Sequence, residues 1–143
     1  MIRLAGKVAI RYSYTYNWSL EAAVNLKPLR WVGSSRSDLK SFPRAVRLEI
    51  GRALYAAQAG VTDPAAKALR GFGGRSVLEI VARGRGDTWR AVYTVRFEHA
   101  VFVLHVFQKK SKSGIATSQK DQAMIASRLK DAQREYEKLY GGA

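Results

Sequence analysis

The sequence predicts an α+β domain, and three observations carry that prediction. Residues 77–83, 89–97 and 101–107 are rich in apolar and β-branched side chains and are separated by short turn signals, the pattern of an antiparallel meander. Phe42, Val46, Ile50, Leu54 and Ala57 recur at helical spacing before them, and Ile125, Leu129, Ala132, Tyr136 and Leu139 do so after them. A short apolar run, Leu29-Arg30-Trp31-Val32-Gly33, comes ahead of both helices and reads as a first strand. The order strand, two helices, three antiparallel strands, helix implies a small twisted sheet with helices on one face. The other face is then free to carry basic residues.

Each element has its own signal. Residues 1–25 form an N-terminal extension in which Val8, Ile10, Tyr12, Tyr14 and Tyr16 alternate with smaller or polar residues, a period of two that suits a strand. An extra edge strand, a partner-binding arm and a start codon placed too far upstream all fit it. The domain proper is 26–143. Ser35 and Asp38 fit a capping box for a short helix, and Pro43 suits the first position of a second. Arg44, Arg47 and Arg52 lie off the apolar stripe of that second helix, and Gly60 ends it. Thr62-Asp63-Pro64 is a turn, and 65–69 has the length of one helical turn. Arg70-Gly71-Phe72-Gly73-Gly74-Arg75 is a glycine-rich loop without the Gly-Lys-Ser/Thr of a nucleotide-binding loop, so its glycines read as a flexible connector. Gly84-Arg85-Gly86-Asp87 marks a hairpin. Glu98-His99-Ala100 marks a second tight turn, and Ser118 with Asp121 a second capping box opening the long last helix.

Composition narrows the function. The chain has 143 residues, 25 Lys and Arg against 11 Asp and Glu, and a formal net charge of +14. An excess of this size attracts polyanions, so RNA, DNA or the ribosome are the favoured partners, with an acidic protein next. There is no cysteine, which excludes disulfides and thiolate metal sites. His99 and His105 are the only histidines, and they make a poor metal constellation, so no metal and no cofactor are expected. No apolar run approaches the length of a membrane span, and nothing resembles a secretory signal. No membrane partner is expected, and the expected location is the cytoplasm.

Trp89 to Lys110 holds the densest chemical signal. Arg90 opens one strand; Lys109 and Lys110 follow the next. Metal-free RNA cleavage needs a 2′-OH deprotonated, a phosphorane stabilised and a 5′-oxygen protonated. Arginine suits the second task through its fork of donors. A lysine among other cations has its charged form disfavoured and can act as general base. Histidine as a residue type suits acid–base work at physiological pH, which makes His105 the other acid–base candidate. Strand alternation would place it with Val101, Val103 and Phe107, either on the open face or as a hydrogen-bonded core residue. Glu79 is read as an ion-pair partner of Arg90 across the hairpin, or as a carboxylate that orients a catalytic cation. Trp31 and Phe107 read as core, and Tyr93 as a weak stacking or hydrogen-bonding candidate. Lys112 and its neighbours read as phosphate contacts or a solvated loop.

These segments resemble the RelE/HigB-like toxins of bacterial type II toxin–antitoxin systems, in the phage-related HigB-type branch. The resemblance spans roughly residues 27–140. Lys27 to Ser35 with Asp38-Leu39 and Phe42-Pro43 resembles the branch's opening. Lys67 with Leu69-Arg70-Gly71 is similar to the loop before the second strand. Leu78-Glu79-Ile80 followed by Trp89-Arg90-Ala91-Val92-Tyr93 resembles the central hairpin, and Val103 to Lys110 the last strand with its terminal lysines. The resemblance implies a microbial RNase fold, cleavage of mRNA, often on the ribosome, and a neutralising helix-turn-helix antitoxin. It maps the catalytic arginine to Arg90, the basic pair to Lys109 and Lys110, and a further basic position to Arg83. Arg70 matches the loop arginine, and Lys67, Arg75, Lys112 and Tyr93 join it as RNA-binding candidates. Glu79 departs from the pattern where some relatives carry lysine, and Ala116 lies near where some carry tyrosine. A ParE-like gyrase inhibitor and a non-enzymatic basic nucleic-acid-binding module are the other readings.

Overall fold

The structure, a computed structural model, describes residues 25–84, 86–109 and 117–141. The alternating segment expected at 8–16 lies outside the described residues. The elements run β1 (Leu29–Trp31), α1 (Ser35–Lys40), α2 (Arg44–Gln58), β2 (Lys67–Ala68), β3 (Val77–Gly84), β4 (Asp87–Thr94), β5 (Val101–Lys109) and α3 (Gln119–Tyr140). They build a five-stranded sheet of order β1-β5-β4-β3-β2. The meander β3-β4-β5 is antiparallel as expected, but β1 pairs parallel with β5, so the sheet is mixed. The hairpin closes on the pair Gly84↔Asp87 around Gly86, whose φ of 81° is the left-handed region a two-residue turn demands.

Local departures have local causes. Ser34, not Ser35, caps α1, and its Oγ donates to Asp38 Oδ2 at 2.7 Å. Ser35 is fully buried and donates instead to the Val103 carbonyl at 3.2 Å, fixing α1 on β5. Pro43 is the cap of α2 rather than its first residue. The expected helical turn at 65–69 is replaced by β2, where Lys67 pairs with Glu79. One turn of helix is below the length that stands alone, and a sheet edge offers those backbone groups partners.

Helices pack on both faces of the sheet, not on one. Val46, Ile50 and Leu54 of α2 cluster with Leu78, Ile80, Ala82, Trp89, Ala91 and Tyr93. Ile125 and Ala132 of α3 cluster on the opposite face with Val77, Val92, Phe102 and Leu104. Burying both faces explains why β5 is buried from Val101 through Val106 with no polar alternation except His105.

A β-bulge then decides which side chains share a face. Val92 pairs with His105 but Tyr93 pairs with Val103, so Leu104 is the extra residue on β5. Leu104 and His105 therefore point to the same, α3 side, and the alternation resumes one step out of phase. Val106 falls on the α2 face and Phe107 on the α3 face.

Candidate functional site

The register lines up the cations on the α3 face. Glu79, Val81 and Arg83 of β3 and Thr88, Arg90 and Val92 of β4 all alternate away from α2. Across the strands this gives three rows. Lys67, Glu79, Val92 and His105 form the first, Val81, Arg90 and Phe107 the second, and Arg83, Thr88 and Lys109 the third. Directly paired side chains in such rows have Cβ atoms about 5 Å apart.

Arg90 sits at the centre and is only 7% exposed. Its Nη1 donates to Glu79 Oε2 at 2.9 Å, the diagonal ion pair expected from the sequence. The same carboxylate oxygen accepts from Thr117 Oγ1 at 3.1 Å. Glu79 thus ties the central arginine to the residue that leads into α3. A buried charge needs such a partner.

Beside it lies a second polar cluster. His105 Nε2 donates to Asp121 Oδ1 at 2.9 Å. Ser118 caps α3 as expected, its Oγ accepting from the Asp121 amide at 3.1 Å, while the Ser118 hydroxyl donates to Asp121 Oδ2 at 2.7 Å. Burial alone would push the Asp121 carboxyl up. The hydrogen bonds from His105 and Ser118, with the positive charges of His105 and Lys109, outweigh it and hold the carboxyl below its ordinary value. Arg128 Nη1 lies 3.5 Å from His105 Nδ1 and donates to the Leu104 carbonyl at 3.0 Å, and its Nη2 donates to Ser34 Oγ at 3.1 Å. Phe107 stacks on the imidazole at 4.6 Å between ring centres.

This geometry sorts the candidates. Arg90, Arg83, Lys109 and Lys67 share one face, Arg83 and Lys67 exposed and Lys109 half-buried. Lys110 and Lys112 lie outside the described residues. Arg70 and Arg75 are exposed, but they flank the far end of β3, away from Arg90. One expectation is corrected, and for His105 the hydrogen-bonded core reading is the one that holds. Tyr93 cannot stack on a base, because it alternates onto the α2 face and is fully buried there. Its phenol finds no hydrogen-bond partner, and burial, with Asp63 assisting, pushes its pKa up to about 12. His105 is not on an open surface with Val101 and Val103. The bulge turns it under α3, it is 8% exposed, and both ring nitrogens meet other side chains. Its contacts link β5 to α3.

The residues not foreseen are Thr117 and Arg128, together with Asp121 as a partner for His105. The capping box drew attention to Asp121 only as a helix signal. Its second contact depends on the bulge, which no residue pattern announces. Among the described residues no group of His, Asp and Glu could hold a metal ion, and no helix is long and apolar enough to cross a membrane.

Comparison with known proteins agrees with this fold. A free-state mutant of the E. coli toxin RelE superposes with a TM-score of 0.51 at 20% identity, covering 73% of this chain and 98% of the RelE chain. No curated protein matches the sequence. Residues 37–130 match the family described as Phage derived protein Gp49-like. That match begins inside α1, ends just past the middle of α3, and takes in every residue of the three rows. The chain therefore belongs to the phage-derived Gp49-like family and has a RelE-like fold.

Proposed function

We propose that this chain is the toxin of a toxin–antitoxin pair and acts as an endoribonuclease on mRNA, engaging its substrate on the ribosome. The observation that carries the reading is the gathering of Arg83, Arg90 and Lys109 at one end of the α3 face, from the exposed Arg83 to the nearly buried Arg90. A scissile phosphate set there meets cations from three adjacent strand positions. Arg90 offers the planar fork that matches the equatorial oxygens of a phosphorane, with Arg83 assisting. Lys109, at the end of β5, and Lys110, next to it in sequence, take the proton-transfer roles. No step in this scheme calls on a metal or cofactor. A helix-turn-helix antitoxin would neutralise the protein, and the cytoplasm is where it would meet mRNA.

One observation favours a second reading. Glu79 already occupies Arg90, so the arginine is neutralised in the free protein. A chain held permanently in that state is a basic RNA-binding module that does not cut. In the cleaving reading the substrate phosphate competes with Glu79 for the guanidinium.

The two readings separate on incubation of purified protein with translating ribosomes and a defined mRNA. Cleavage within the message, lost in Arg90→Lys, supports the nuclease. Arg90→Lys keeps a charge for Glu79 but removes the fork. Retained RNA binding without cleavage supports the module.

A further inference from the structure

We propose that the α1–α2 side of the molecule carries a second, separate binding surface, a groove that takes an acidic amphipathic helix of a protein partner. Trp31, Arg36, Leu39, Lys40, Arg44, Arg47 and Leu48 enclose it, with a volume of about 360 Å³. Trp31 and Leu39 are partly buried and continuous with the α2-side core. Among the described residues Leu48 stands 57% exposed on α2. All four charged residues are cationic and solvent-exposed, and none of the seven is acidic. The Arg47 guanidinium is fixed in advance, since its Nε donates to the Phe42 carbonyl at 3.0 Å. Arg44 and Arg47 also occupy the first turn of α2, which holds no acidic residue. Cations there meet the positive end of the helix dipole, an unfavourable placement unless an anion joins them.

The wall chemistry selects the occupant. A nucleic-acid backbone would satisfy the cations and leave Leu48 against water. Burying an exposed leucine calls for an apolar side chain, and the cations around it call for carboxylates on the same ligand. A helix with leucine on one face and glutamates flanking it supplies both, in the helix-in-groove manner. The groove lies across the sheet from Arg90. An occupant here therefore need not displace RNA from the α3 side, and the proposal stands independently of whether the chain cuts RNA.

The test uses the full chain and a fluorescent peptide of leucine, glutamate and alanine, about 18 residues long so that it can form a helix. A twin with lysine for glutamate and an oligouridylate of equal length serve as the other probes. Anisotropy should show saturable binding of the acidic peptide and none of its basic twin. Affinity should fall by about tenfold or more in Leu48→Glu and in Arg44→Glu, and by less than about twofold in Lys138→Glu, which reverses a distant charge on α3. Circular dichroism checks that each variant is folded. Absence of saturable peptide binding would overturn the proposal. So would equal losses in Arg44→Glu and Lys138→Glu, which would make the attraction a general field. An oligouridylate that loses affinity with Leu48→Glu would assign the groove to nucleic acid and overturn it too.

Discussion

Arg90 and Glu79 set the chemistry at the scale of single residues. They form a nearly buried pair, with side chains 8% and 14% exposed. Removing either partner leaves the other in a low-dielectric site, so Arg90→Ala should cost on the order of 3 kcal/mol of stability, read by urea denaturation. Glu79→Gln tests what the pair does to binding. It leaves an acceptor for Thr117 but removes the charge that neutralises Arg90. On an uncleavable 2′-deoxy oligonucleotide, affinity should rise and the log–log salt slope should steepen by about 0.7, the mark of one more phosphate contact. An unchanged slope would mean that no phosphate reaches Arg90. Asp121 makes a pH prediction. Its folded-state carboxyl titrates below its unfolded value, so the unfolded chain binds more protons between the two. The stability it contributes is fully present above about pH 4 and is lost as pH falls through the folded value. Asp121→Asn should therefore be less stable than the parent near neutrality, and the gap should close on acidification.

α3 and the bulge in β5 set the geometry at the scale of elements. The helix is held by Ile125 and Ala132 in the core, by the Ser118 cap at its start, and by Arg128 reaching the Leu104 carbonyl and Ser34. Ser118→Ala should cost about 1 kcal/mol through the lost cap, and Ile125→Ala about 3 kcal/mol through the cavity it leaves; thermal unfolding reads both. Elements of strong period were legible in the sequence. The meander, α2 and α3 follow directly from spacing, and the hairpin from its glycines. What stayed hidden depends on contacts distant in the chain. The parallel pairing of β1 with β5 has no local signature. Coverage of both faces was visible only as the unbroken apolar run of β5, which alternation alone could not interpret. The bulge was invisible, and with it the side of the sheet on which His105 lies. Arg83, Arg90 and Lys109 were named from the family resemblance and their places at strand ends, and the register puts all three on the same side of the sheet. Tyr93 failed by strand alternation, which applied to Arg90 already assigns Tyr93 to the other side. Thr117 and Arg128 act from outside the sheet and needed the fold to be placed.

The charge of +14 acts at the scale of the whole molecule. Among the described residues, cations gather on two sides of the sheet: a cluster beside α3, and the rim of the α1–α2 groove. If Lys67, Arg83, Arg90 and Lys109 meet about four phosphates, affinity for single-stranded RNA should fall about fifty-fold as salt rises from about 50 to 200 mM. A response far flatter than this would mean that the cluster does not engage the backbone. The central claim is that this cluster cuts RNA, and the most direct measurement is controlled induction of the chain in bacteria with transcript 5′ ends mapped across the transcriptome. New ends within coding regions are predicted, absent after induction of Arg90→Lys at equal protein level. Intact transcripts, whether growth continues or stops with gyrase-dependent DNA breaks, would contradict it.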